Sequence, residues 1–146
     1  MAANRETVRD EVATLLGAAL VGSGLPAQEV VNYRKGDLEG KSPVVQVSSY
    51  ASDRSRMTAK GGRTTVYLLV AMFVLYALED GSWTEAQAED ALDQIESLIA
   101  GVVQANQVTA YWGALDYDGR SERIDVAIGG QEYIVEALTL KAEVYA

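Results

Sequence analysis

The chain of 146 residues has no cysteine and no histidine, and it has only two prolines and one phenylalanine. Without cysteine there are no disulfides and no thiolate metal sites, and the redox compartment is left undetermined. Without histidine, a Ser-His-Asp triad, a Cys-His pair and His-ligated zinc or iron are excluded within the chain. The opening MAANRETVRDEV carries charges where a signal peptide would have its apolar stretch, so no signal peptide is expected. The longest apolar run, TTVYLLVAMFVLYAL at residues 64–78, is 15 residues long. A membrane-spanning helix needs roughly 20, so no membrane partner is expected.

What is present suits a folded domain. Hydrophobic residues make up 49% and charged residues 23%, which argues against disorder, and the length fits one domain over residues 1–146. The net charge of −9 is unevenly placed. Residues 1–33 hold two basic and four acidic side chains, residues 34–63 seven and three, and residues 64–146 three and fourteen. This acidity disfavours a sequence-reading nucleic-acid binder, which carries a basic footprint. The segregation instead permits a basic segment of one copy to meet an acidic face of another, against the plainer reading of an acidic soluble surface with one basic loop.

Along the chain, Asn4 or Thr7 opens a helix with Val8, Val12, Leu15, Leu16, Ala19 and Leu20 at helical spacing, stopped by Gly22-Ser23-Gly24 and Pro26. Val30, Val31 and Tyr33 form a short extended piece, and a strand follows at residues 44–48. Residues 48–63 are polar, basic and glycine-bearing, and they read as a long inter-strand loop. The β-branched and aromatic content of residues 64–78 favours a buried strand, with a core helix as the alternative. Asp80-Gly81-Ser82 breaks that run, and Ser82 or Thr84 caps a second helix with Ala88, Ala91, Leu92, Ile95, Leu98, Ile99, Val102 and Val103 on its apolar stripe. Residues 108–117 read as extended, Asp118-Gly119 as a hairpin turn, residues 124–128 as an alternating strand, and Gly129-Gly130 as a turn into the last strand. The order is helix, strands, helix, strands. It predicts an α+β fold with two helices packed on a mostly antiparallel, mixed sheet.

Catalytic equipment is hard to assemble from these residues. Glu85, Glu89, Asp93 and Glu96 follow helical steps and form an acidic ridge, which is ordinarily a solvated face rather than a metal or acid–base set. Asp116, Asp118, Gly119 and Glu122 resemble part of a calcium loop, but the third loop acid is missing and a turn accounts for them. The glycine pairs match no phosphate-binding fingerprint. Trp83 and Trp112 read as core or helix-entry anchors. Arg54, Arg56, Lys60 and Arg63, with Met57 among them, could grip phosphates, yet the loop lacks stacking aromatics apart from Tyr50 at its edge. A subunit or partner interface suits them better, with the acids of the second helix facing a lumen or a basic neighbour. No cofactor and no metal is expected.

Taken as blocks, VVNYRKGDLEGKSPVVQVSS, SDRSRMTAKGGRTTVYLLVAMFVLY, WTEAQAEDALDQIESLIAGVV and ALDYDGRSERIDVAIGGQEYIVEALTLKAEVY resemble the tail terminator (tail completion) proteins of long-tailed bacteriophages and phage-like particles. The resemblance covers most of the chain. It implies a non-enzymatic virion protein that forms a hexameric ring, a homo-oligomer that caps the tail tube protein's polymer, stops its growth and meets a neck or head-completion protein. It also implies that DNA transits the lumen without specific binding, and an acidic lumen would suit that, since phosphate affinity comes from basic contacts. Two alternatives stand beside it: a head–tail connector or neck protein, and a small ligand-binding or enzymatic α+β domain with a pocket between helix and sheet.

Overall fold

A computed structural model of the chain describes residues 4–36, 38, 41–56, 61–75, 84–128 and 131–145, without the side chains of Glu85, Ile128 and Gln131. Helix α1 spans Arg5–Leu20 and opens on Asn4, whose side chain accepts from the Glu6 amide at 2.9 Å. Strand β1 is Glu29–Val31, β2 Val44–Arg56 and β3 Gly62–Leu75. Helix α2, Glu85–Ala105, starts with a full capping box. The Gln87 amide donates to Thr84 Oγ1 at 3.1 Å and the Thr84 amide to Gln87 Oε1 at 2.9 Å. Strands β4 (Ala114–Tyr117), β5 (Glu122–Ile128) and β6 (Gln131–Tyr145) complete the chain.

The strands form one six-stranded mixed sheet in the order β1-β2-β3-β6-β4, with β5 also beside β6. Only β1–β2 is parallel; β2–β3, β3–β6, β4–β6 and β5–β6 are antiparallel. The fold is therefore α+β, with both helices on one face of the sheet. Val8, Val12, Leu16 and Leu20 of α1 and Ala88, Leu92, Ile95 and Ile99 of α2 bury themselves against Val45, Val47, Val66, Leu68, Val70, Met72, Leu138 and Leu140. Trp112 plugs the end of this layer, its indole N–H donating to the Asn106 carbonyl at 2.7 Å.

Three expectations are corrected. The long inter-strand loop at residues 48–63 is mostly strand: β2 runs on to Arg56 and β3 starts at Gly62, paired residue for residue as far as Arg56↔Gly62. The stretch has no apolar alternation because it is exposed, and a bulge between Ser49 and Ala51 reverses which residues face the helices. Asp118-Gly119 is not a hairpin turn. Strands β4 and β5 lie end to end along β6, five steps from Tyr117 to Glu122 facing three from Leu140 to Ala137. Gly119 absorbs the kink at φ 80°, and the Asp118 amide still donates to the Thr139 carbonyl at 2.8 Å. The extended reading of residues 108–117 holds only for Ala114–Tyr117. Asp80-Gly81-Ser82, Trp83 and Gly129-Gly130 lie outside the described residues.

Candidate assembly surface

The two borders of the sheet differ in chemistry. On one side β1 pairs with β2 only over Val44–Gln46, so among the described residues the outer edge of β2 from residue 47 to 56 has no neighbouring strand. Tyr50 stands out at the bulge, 66% exposed. Beyond it Arg54 lies opposite Thr64 and donates from Nη1 to Thr64 Oγ1 at 3.4 Å, while Arg56 lies opposite Gly62. Gly62 is required there, because a Cβ would come within 2.6 Å of the Ser55 carbonyl oxygen.

The structure splits the basic set that the sequence grouped. Arg54 and Arg56 lie in register with Thr64 and Gly62, on the helix side of the sheet. Arg63, paired with Ser55 and Tyr145, belongs to the other side, where its Nη1 lies 3.9 Å from Glu143 Oε1. Met57 and Lys60 lie outside the described residues. Sequence reasoning missed Arg9. From α1 it reaches β2, donating from Nη1 to Ser49 Oγ at 3.3 Å, while its buried Nε lies 3.9 Å from Asp10 Oδ1 and has no hydrogen-bond partner among the described residues. Only its place one step from Val8 on the apolar stripe hinted at a position over the sheet.

At the other border the acids of α2 are organised by a residue that sequence reasoning also missed. Arg123 of β5 donates from Nη1 to Glu89 at 2.9 Å, from Nη2 to Asp93 at 3.1 Å and from Nε to Glu136 at 2.9 Å. The bond to Glu136, then that to Glu89, holds the guanidinium's pKa above its ordinary value. Glu136 itself is 6% exposed, so this pairing satisfies a buried carboxylate. Glu96, half-buried, adds its charge beside Tyr117; burial first and Glu96 second push that phenol up to about 12. The side chain of Glu85 is not described. Along the border, Asp116, Asp118, Glu122 and Asp125 are exposed. Asp116 accepts from the Tyr117 amide at 2.8 Å, and among the described residues no three acids gather as a metal site.

A cleft between α1 and β1 is lined by Asp10, Thr14, Val30 and Asn32. Its polar groups engage each other, Asn32 Nδ2 donating to Asp10 at 2.6 Å and Thr14 Oγ1 to the Asp10 carbonyl at 2.9 Å.

No family model matches the chain, and no curated protein does. Among solved structures, the fold is similar to that of a chain in the virion of a native gene transfer agent (GTA) particle, with a TM-score of 0.51. The match covers 97% of this chain and 92% of that one at 12% identity. At that identity the likeness is one of fold.

Proposed function

We propose that the chain is a structural subunit of a phage-like particle and, within it, a tail terminator. Copies form a ring, hexameric as the resemblance implies, that ends the tail tube, halts its growth and presents a surface to the neck while DNA passes through. The observation that carries this reading is the end-to-end likeness of fold to a chain of a gene-transfer-agent virion. Two further features support it. The sequence blocks resembling tail terminators span the same chain, and the borders of the sheet carry unlike charge, basic at Arg54 and Arg56 and acidic from Asp116 to Asp125.

The test combines native mass spectrometry with electron microscopy of tail tubes grown with and without the protein. The reading expects a closed oligomer, alone or on tube ends, and tubes of fixed length. Replacing Arg54, Arg56 and Arg63 together with alanine should leave the monomer's melting within about 0.5 kcal/mol per exposed site. It should abolish capping, since losing one partner of a desolvated charge pair between subunits costs about 2–5 kcal/mol. A protein that stays monomeric and leaves tube length uncontrolled defeats the reading. Binding to the portal side, with none to tubes, would select the connector alternative.

A further inference from the structure

We propose that neighbouring copies join by strand addition: the bare edge of β2 in one copy pairs antiparallel with the bare edge of β5 in the next, so that one sheet runs on from copy to copy. This rests on the ring reading above. The backbone makes the first argument. Residues 47–56 of β2 and the far side of β5 carry rows of N–H and C=O groups with no neighbouring strand among the described residues. Such edges are templates for another strand unless something blunts them.

Charge decides which edges meet. The β2 border carries Arg54 and Arg56 against the single acid Asp53, while Arg9 of α1, beside Ser49, is paired with its neighbour Asp10 at 3.9 Å. The β4–β5 border carries Asp116, Asp118, Glu122 and Asp125. Of its basic residues, Arg123 is already held by Glu89, Asp93 and Glu136, which leaves the exposed Arg120 against those four acids. Like edges repel and unlike edges attract, which disfavours pairs of copies joined through the same edge. A contact between two different edges is heterologous and repeats, closing a ring when the rotation allows.

The sense of the strands agrees. β2 is antiparallel to β3, β3 to β6 and β6 to β5, so β2 and β5 run in opposite directions. Rotation about an axis along the strands preserves direction, so the added pair is antiparallel like its neighbours. The faces agree too. Arg54 and Arg56 lie on the helix side, as does Asp125, which is paired with Ile134 beside the main core. On the opposite side Ile124, 57% exposed, gains a neighbouring strand in the joined sheet.

The absence of cysteine makes the test clean. In the double variant Ser55→Cys with Ile124→Cys, the pair that meets between copies when Arg54 faces Asp125, the two thiols of one chain are separated by β3 and β6, at least three strand spacings or about 14 Å. A bismaleimide too short for that span should give a ladder of covalent multimers on a denaturing gel. In parallel, Arg54→Glu with Arg56→Glu should weaken association at least about tenfold, and adding Asp125→Arg to the same chain should restore most of it. Circular dichroism confirms that each variant folds. Closed oligomers in native mass spectra without a ladder, and indifferent to charge reversal, overturn strand addition and leave the ring reading standing. A chain monomeric at every concentration overturns both.

Discussion

The two faces of the sheet are made by alternate residues of the same strands, and they live in different surroundings. Along β3, Val66, Leu68, Val70, Met72 and Val74 are wholly buried beneath the helices, whereas Tyr67, Leu69, Ala71, Phe73 and Leu75 on the other face are half-buried. An antiparallel sheet with one face in water ordinarily carries polar residues there. Here that face is apolar too, and its cover among the described residues is a strap that sets Leu38 against Val44, Tyr133 and Val135, with Phe73 and Leu75 packed alongside. The strap is pinned by Gln46 Nε2 donating to the Lys35 carbonyl at 3.0 Å and by Lys41 bridging Glu29 at 2.8 Å. One face holds the helix layer to the sheet, and the other offers apolar surface beyond what the described residues cover.

The most direct way to break that comparison is to truncate adjacent leucines. Leu68→Ala on the helix face should cost about 2–5 kcal/mol in denaturant unfolding, the cost of a buried leucine cavity. Leu69→Ala, already partly in water, should cost about 1 kcal/mol or less. Equal losses would mean that both faces are core and that the second has a cover of its own.

A smaller effect is expected where charge rather than apolar area holds the helix layer to the sheet. Arg123→Ala strands the carboxylate of Glu136, which is 6% exposed, and should cost about 1–3 kcal/mol. Glu89→Ala removes an exposed partner of the same guanidinium and should cost well under 1 kcal/mol. If the two variants melt alike, Glu136 is satisfied without Arg123.

The strap gives a pH-dependent handle on the opposite face. The hydrogen bond from Lys41, with Lys35 nearby, lowers the Glu29 pKa below its ordinary 4.5. A depressed carboxylate contributes stability above its unfolded pKa and loses it as pH falls through the folded one. Glu29→Gln should therefore melt slightly below the parent chain at pH 7, by roughly 0.5 kcal/mol, and the gap should narrow as pH falls below 4.5. A gap that persists in acid would show that the strap is held by something other than this charge.

Much of this architecture was legible in the chain. Asn4 and Thr84 open the two helices, and the strand reading of the apolar run held over its described part, Thr64 to Leu75. The alternation of β5 and the presence of a last strand after it were legible as well. What failed were edges. Residues 49–56 are strand because β3 pairs with them, and an exposed border strand carries no period-two apolar signal to reveal it. Asp-Gly is a strong hairpin signal, yet here both flanking strands pair with β6, a long-range preference that overrides the local turn chemistry. The same limit applies to the surface residues. Arg54, Arg56 and Arg63 stood out by composition, but only the register separates them onto two faces. Arg9 and Arg123 act through contacts 40 and 13 or more residues away along the chain, which no local pattern carries.

The finest test of the helix-covered face is Tyr117, which reaches under it from β4. Its hydroxyl is buried and has no hydrogen-bond partner among the described residues. A buried unsatisfied polar group costs free energy, so Tyr117→Phe should leave stability unchanged or raise it by up to about 1 kcal/mol at pH 7. The pH dependence sharpens this. Burial, and then the charge of Glu96, raise the phenol from 10.0 to about 12, so the folded chain holds the proton more tightly than the unfolded chain. Stability from that difference is complete below pH 10 and is lost as pH rises towards 12. The parent chain should therefore lose melting temperature across that window faster than the phenylalanine variant, a difference that thermal melts at pH 8 and pH 11 would resolve. If Tyr117→Phe instead destabilises the chain at pH 7 and the two alkaline profiles coincide, the hydroxyl has a partner. The face beneath the helices would then be held by polar as well as apolar contacts.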